Sequence, residues 1–264
     1  MPVIPPVVSP LPIPNRWARP LATDDPMKWL ALGWRDFMTQ PAMSIAYGAL
    51  IFLVSAFFVG GLIALGGDYI LFPAFAGFMV VGPILAIGLY EKSRRIEAGL
   101  PLHWIDIFLV RPRSGGQILF TGVLLCLLMM VWMRAAVIIY ALFFGLVPFP
   151  GLGRIAPMLF TTQTGWAMLV VGTAVGGLFA AFSFAISAFS IPMLLDEDTD
   201  ALTAMASSMA LVWANLRVLL IWAVIVLGLF LVSLATGMLG LIVIYPLLGH
   251  ATWHAYRAMQ PSAG

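Results

Sequence analysis

Apolar residues run through this chain in about six blocks, each near the length that crosses a bilayer. They lie at Met43–Leu65, Ile70–Tyr90, Gln117–Leu146, Gly165–Leu195, Val218–Thr236 and Met238–Arg257. A hydrocarbon core about 30 Å thick needs roughly 20 helical residues per crossing. Within the blocks the apolar positions are continuous rather than alternating, so the pattern predicts helices and not the strands of a barrel. A helix also pairs its own backbone amides, which hydrocarbon cannot do. The predicted fold class is all-α: a polytopic membrane bundle of about six transmembrane helices.

Three segments of intermediate polarity interrupt the blocks: Pro26–Gln40, Leu102–Val110 and Thr199–Asn215. Apolar residues three and four apart beside charges predict amphipathic helices at the membrane surface. Each precedes a pair of blocks. The breaks at Gly66–Tyr69 and around Gly237 are short enough to force helical hairpins. The pattern suggests a threefold repeat of one interfacial helix and one hairpin. Val147–Gln163, with three prolines and two glycines, reads instead as a long irregular loop. The fourth block carries Gly172, Gly176, Gly177, Ser183 and Ser187, so it is expected to sit centrally, packed on several neighbours.

Composition agrees, with 62% hydrophobic and 9% charged residues among 264, too few charges for a hydrated exterior. The net charge of +2 gives no ground for nucleic-acid binding. Lysine and arginine gather before the first block, between the second and third, and around the fifth and sixth, whereas Arg154 alone occupies the opposite loops. With an even number of spans, both termini are expected on the cytoplasmic side. Residues 1–25 read as a proline-rich, disordered cytoplasmic tail and not as a signal peptide. The membrane domain covers residues 26–258, and residues 259–264 form a C-terminal tail. Cys126, the one cysteine, lies inside the third block, so no disulfide framework exists.

Four groups of residues carry candidate chemistry. His250 and His254, four apart, fall on one face of the last helix, where they either ligate a metal or haem or hydrogen-bond to neighbouring helices. Tyr90, Glu91, Arg94, Arg95 and Glu97 close the second block, either as an anchor with internal ion pairs or as a docking patch for anionic lipid or an acidic partner. Arg134 is the one formal charge well inside a block; it either lines a substrate path or pairs near the interface, with Asp68 in reach. Pro73, Pro83, Pro192 and Pro246 break the blocks and free backbone carbonyls. The run Asp196–Asp200 is expected to cap the third amphipathic helix. A phosphate-binding glycine loop, a zinc-protease helix, a serine elbow and an intramembrane carboxylate for proton relay are all absent, so no cofactor is expected.

The stretches Gly82–Arg95 and Pro246–Arg257 resemble the signature segments of a proteobacterial family of predicted integral membrane proteins. The family is catalogued as a domain of unknown function, and its members are sometimes labelled cytochrome c oxidase subunit I-like. The resemblance covers roughly residues 25–258 and implies a bacterial inner-membrane location. It further suggests that the two stretches meet. Haem-copper catalysis would need histidines on several spans, and here two share one. The leading expectation is a non-enzymatic scaffold, assembly or accessory factor, contacting the lipid bilayer and a membrane-protein partner through its cytoplasmic face. The alternatives are a small-solute or lipid transporter, with Arg134, the proline kinks and the glycine-rich fourth span lining a cavity, and a histidine-based metal or haem protein.

Overall fold

The structure, a computed structural model, describes residues 15–145 and 149–261, apart from the side chains of Asp68 and Leu152. Its described residues form α-helices joined by turns, with no strand among them. In order these are α1 (Asp25–Met38), α2 (Pro41–Ala64), α3 (Leu71–Leu85), α4 (Ile87–Glu97), α5 (Trp104–Phe108) and α6 (Gly115–Phe144). There follow α7 (Leu152–Thr161), α8 (Gln163–Ser187), α9 (Ser190–Asp196), α10 (Ala201–Ala214), α11 (Leu216–Ala235) and α12 (Leu241–Met259). Five stretches are long and apolar enough to cross a membrane: α2, α3 with α4, α6, α8 with α9, and α11.

The sixth expected span, α12, is outside that set. It has 19 residues, and its C-terminal half carries His250, Thr252, His254 and Arg257. Protein, not lipid, surrounds that half: His250, Ala251, Trp253, Ala255 and Tyr256 are buried. Even so, α12 returns to the end from which the chain starts. A tight turn with Gly237 and Met238 at positive φ joins it to α11. At its far end the Met259 carbonyl accepts from Arg19 Nε at 2.8 Å. Residues 15–25 are therefore no loose tail. Arg19 N donates to Asn215 Oδ1, Asn215 Nδ2 donates to the Trp17 carbonyl, and Trp17 and Leu21 pack on the core. Of the expected tails, residues 1–14 and 262–264 lie outside the described residues. The end holding Arg19 and Met259 is called basal below.

The three interfacial segments are all helical, though α5 has only 5 residues. The first does not lie flat on lipid. Its buried face (Pro26, Trp29, Gly33, Asp36, Phe37) packs under the bundle against α12. A Cβ on Gly33 would strike the backbone of Ala251, so contact this close requires glycine. The third begins as expected, with Asp200 accepting from Thr203 N at 2.9 Å as its N-cap.

Two of the prolines explain the broken spans. Pro83 precedes the joint between α3 and α4 at Ala86, where the Leu89 amide turns to the Ala86 carbonyl. Leu85's carbonyl, left free, accepts from Tyr47 Oη at 2.7 Å, and Gly82's accepts from Tyr245 Oη at 2.8 Å. Pro192 follows the joint between α8 and α9, where Ser208 of α10 fills the gap. Its hydroxyl donates to the Ala185 carbonyl at 2.7 Å and accepts from Phe189 N at 3.1 Å. Within the expected irregular loop, residues 152–161 form α7, because Ile155 and Leu159 share one helical face and turn it to the bundle.

Candidate functional site

Four helices meet at the basal end around His250, whose side chain is fully buried. Lys92 of α4 donates from Nζ to Ser44 Oγ of α2 at 2.7 Å and to the Gln40 carbonyl at 3.3 Å. Gln40 holds a left-handed backbone, φ 53°, at the joint of α1 and α2, and this points its carbonyl at the ammonium. Ser44 Oγ is 3.0 Å from His250 Nε2, and Ser93 Oγ is 2.9 Å from His250 Nδ1. Since Ser44 accepts from Lys92, its own proton is free for Nε2. The network thus assigns the imidazole proton to Nδ1, facing Ser93. Beyond Ser93 lies Asp36 of α1, whose Oδ2 is 2.8 Å from His254 Nε2. Lys92, Ser44, His250, Ser93 and Asp36 are all buried, so one ammonium and one carboxylate share the interior, linked through Ser44, His250 and Ser93.

Burial alone would raise the Asp36 carboxyl. The His254 hydrogen bond and the neighbouring Ser93 hydroxyl outweigh that and leave it below its ordinary value.

A second feature opens above this layer. α8 and α11 scarcely touch, and a groove of about 920 Å³ runs between them, floored by α3 and α12 and walled by α6 and α7. Phe78, Trp132, Phe184, Trp222 and Phe230 line it, and the exposed rings of Phe72 and Phe160 stand at its rim. The small residues of α8 were expected to bring neighbours close. α8 does pack on α3, α6, α7 and α10, yet with α9 it forms the least buried of the five spanning stretches, because one side is left open to the groove. Gly172 and Gly177 border empty space, whereas Gly176 admits the Trp132 ring.

The sequence candidates divide between these features. Both nitrogens of His250 are taken by serines and His254 Nε2 is held on Asp36, so the pair offers no preformed metal site. Among the described residues no three His, Cys, Asp or Glu side chains gather as a ligand set. Tyr90 and Glu91 are buried at 2% and 3% exposure, which removes them from a docking surface. Glu91 is clamped by Arg94 and Arg95 at 2.8 Å, and Arg95 also pairs with Asp106 at 3.0 Å. The internal-anchor reading fits that geometry. The hydrogen bond between Ser93 and His250 joins the two resembling stretches, and just past the first of them Glu97 accepts from Trp253 Nε1 and Arg257 Nε, both at 3.0 Å. Arg134 is exposed on α6 and does not line the groove; the side chain of its expected partner Asp68 lies outside the described residues. Pro73 and Pro83 line the groove, and Pro192 and Pro246 do not.

Sequence reasoning missed Lys92, Ser44, Ser93 and Asp36 as a unit. One signal was available for Ser44, a hydroxyl in the first turns of an otherwise apolar span, where a polar side chain needs a partner; Lys92 and Ser93 lie in the charged run Glu91–Arg95, which reads as solvated.

Residues 71–196 match the family model described as predicted integral membrane protein (DUF2189), a domain of unknown function. The match takes in Gly82–Arg95 and ends before Pro246–Arg257, so it is narrower than the resemblance over residues 25–258. No curated protein and no solved structure matches the chain.

Two outcomes follow for the basal network. His250→Ala strands two buried serine hydroxyls and leaves a cavity, and is expected to lower stability in detergent by about 2–4 kcal/mol. Lys92→Met keeps the volume but leaves Asp36 and Ser44 without the ammonium, so it should still destabilise, and less than Lys92→Ala only by the cavity that alanine adds, as thermal melting would measure. Because the Asp36 carboxyl is depressed in the fold, its contribution is complete above the ordinary carboxylate value and is lost as pH falls through the folded value. Melting profiles taken downward through about pH 4 should therefore fall more steeply in the wild type than in Asp36→Asn. Parallel profiles would remove Asp36 from that role.

Proposed function

We propose that this chain, as a carrier of that integral-membrane domain, is a non-enzymatic membrane protein that holds a lipid-class ligand between its spans, as a binding or carrier protein. The groove carries the reading. Its volume of about 920 Å³ falls within the range of small-molecule sites, about 300–1,000 Å³. It lies along the spanning stretches, and the rings of Phe72 and Phe160 at its rim are exposed. Its aromatic and aliphatic walls offer little to a hydrated solute, so of the two transported classes weighed from the sequence they favour lipid over small polar molecules.

We further place the basal end at the cytoplasmic face of a bacterial inner membrane, because the lysines and arginines of α1, α4 and the α5–α6 connection gather there. Docking of a membrane partner has one supporting observation: Trp34, Trp104, Ile105 and Leu109 stay exposed on basal helices.

A Cβ at Gly172 or Gly177 meets nothing within 4 Å and both positions line the groove, so phenylalanine there projects into it. Wild-type protein purified in mild detergent is expected to retain a stoichiometric lipid by mass spectrometry, and Gly172→Phe and Gly177→Phe to lose it. Wild-type protein without lipid, or variants that keep as much, would refute the reading.

A further inference from the structure

We propose that the basal end of the groove receives the neutral head of that lipid, a hydroxyl or carbonyl group held by Tyr90, Ser183 and Ser187; this rests on the groove being a ligand site. The three side chains line the groove and are buried at 2%, 3% and 1% exposure. Among the described residues none of their hydroxyls has a hydrogen-bond partner, and their oxygens are not sealed among protein atoms as those of Tyr140 and Ser190 are. Helical hydroxyls elsewhere in the chain behave differently. Thr121 and Ser233 donate to the carbonyls of Gln117 and Leu229 in the preceding turn, at 2.9 and 3.1 Å.

Two other hydroxyls at this end are already committed. Tyr245 donates to Gly82 and Thr252 to Leu248, both at 2.8 Å. Tyr90, Ser183 and Ser187 therefore remain as a tyrosine donor with two serine donor-acceptors in otherwise apolar surroundings. Each of these hydroxyls can pair with a carbonyl or hydroxyl group.

Charge narrows the class. No Asp, Glu, Lys, Arg or His is among the described residues lining the groove. The ionisable side chains next in sequence at this end are turned away: His250 is held by Ser44 and Ser93, and Glu91, beside Tyr90, is clamped by Arg94 and Arg95, while Gly249 and Thr252 face the groove. A phosphate or ammonium head seated here would be buried without a counter-charge, a cost that excludes it. The chain of the ligand would follow Phe184, Phe78 and Phe230 toward the open rim.

Trp132 and Trp222 line the groove and report on its contents. Three probes with the same brominated long chain separate the possibilities in lipid nanodiscs: the alcohol, the alkyl phosphate and the plain alkane. The alcohol is expected to quench tryptophan fluorescence saturably, with the phosphate and the alkane about tenfold weaker. Tyr90→Phe and Ser187→Ala preserve shape; each should weaken the alcohol by about fivefold and leave the alkane unchanged, with melting temperatures confirming the fold. Equal binding of all three probes, or alcohol binding untouched by both substitutions, overturns the head site and leaves the groove standing. Absence of any saturable quenching that Gly172→Phe abolishes defeats the head site and the groove reading together.

Discussion

Lys92 and Asp36 are buried among the same four helices, and neither charge could remain there alone. An isolated ammonium or carboxylate in a dry interior costs many kcal/mol, so the bridge through Ser44, His250 and Ser93 fixes how α1, α2, α4 and α12 must meet. That constraint accounts for the close contacts nearby. Gly33 lets α1 approach Ala251, and Gly48 lets α2 approach Ile242. It also accounts for α12, whose polar half is shielded by other helices and whose arginine and histidine reach Glu97 and Asp36. Breaking the bridge leaves orphaned polar groups on four helices, so the basal layer behaves as one unit.

Above that layer the packing rule changes. The spans there are held by apolar contact, which in lipid supplies no strong drive to close every gap. α6 fills part of the space with Trp132, whose Nε1 donates to the Pro73 carbonyl at 3.0 Å. Beside it, α8 presents Gly176 to the Trp132 ring and leaves Gly172 and Gly177 against open space in the groove. A rigid base and a loosely closed upper half therefore coexist in one bundle, and the groove opens where they join.

The spans were legible because hydropathy over twenty residues is a local property of the chain. Breaks near Pro83 and Pro192 were legible for the same reason: a missing amide acts within one turn. α8 was legible in part: it packs on several neighbours as its small residues suggested, but the side it leaves open to the groove was not readable, since small residues permit either close packing or a void. His250 and His254 were singled out by spacing, but their partners come from positions more than 150 residues away in sequence. Tyr90 shows the limit most clearly. As the last apolar residue before a charged run it read as a surface anchor, yet the joint at Ala86 turns it inward to the groove.

Cryo-electron microscopy of the protein in a lipid nanodisc would examine the groove directly. An elongated density is expected between α8 and α11, reaching from Tyr90 toward Trp132, with the two helices held apart. A map in which α8 and α11 close on each other, or in which a second protein helix occupies the space, would contradict a lipid site between these spans.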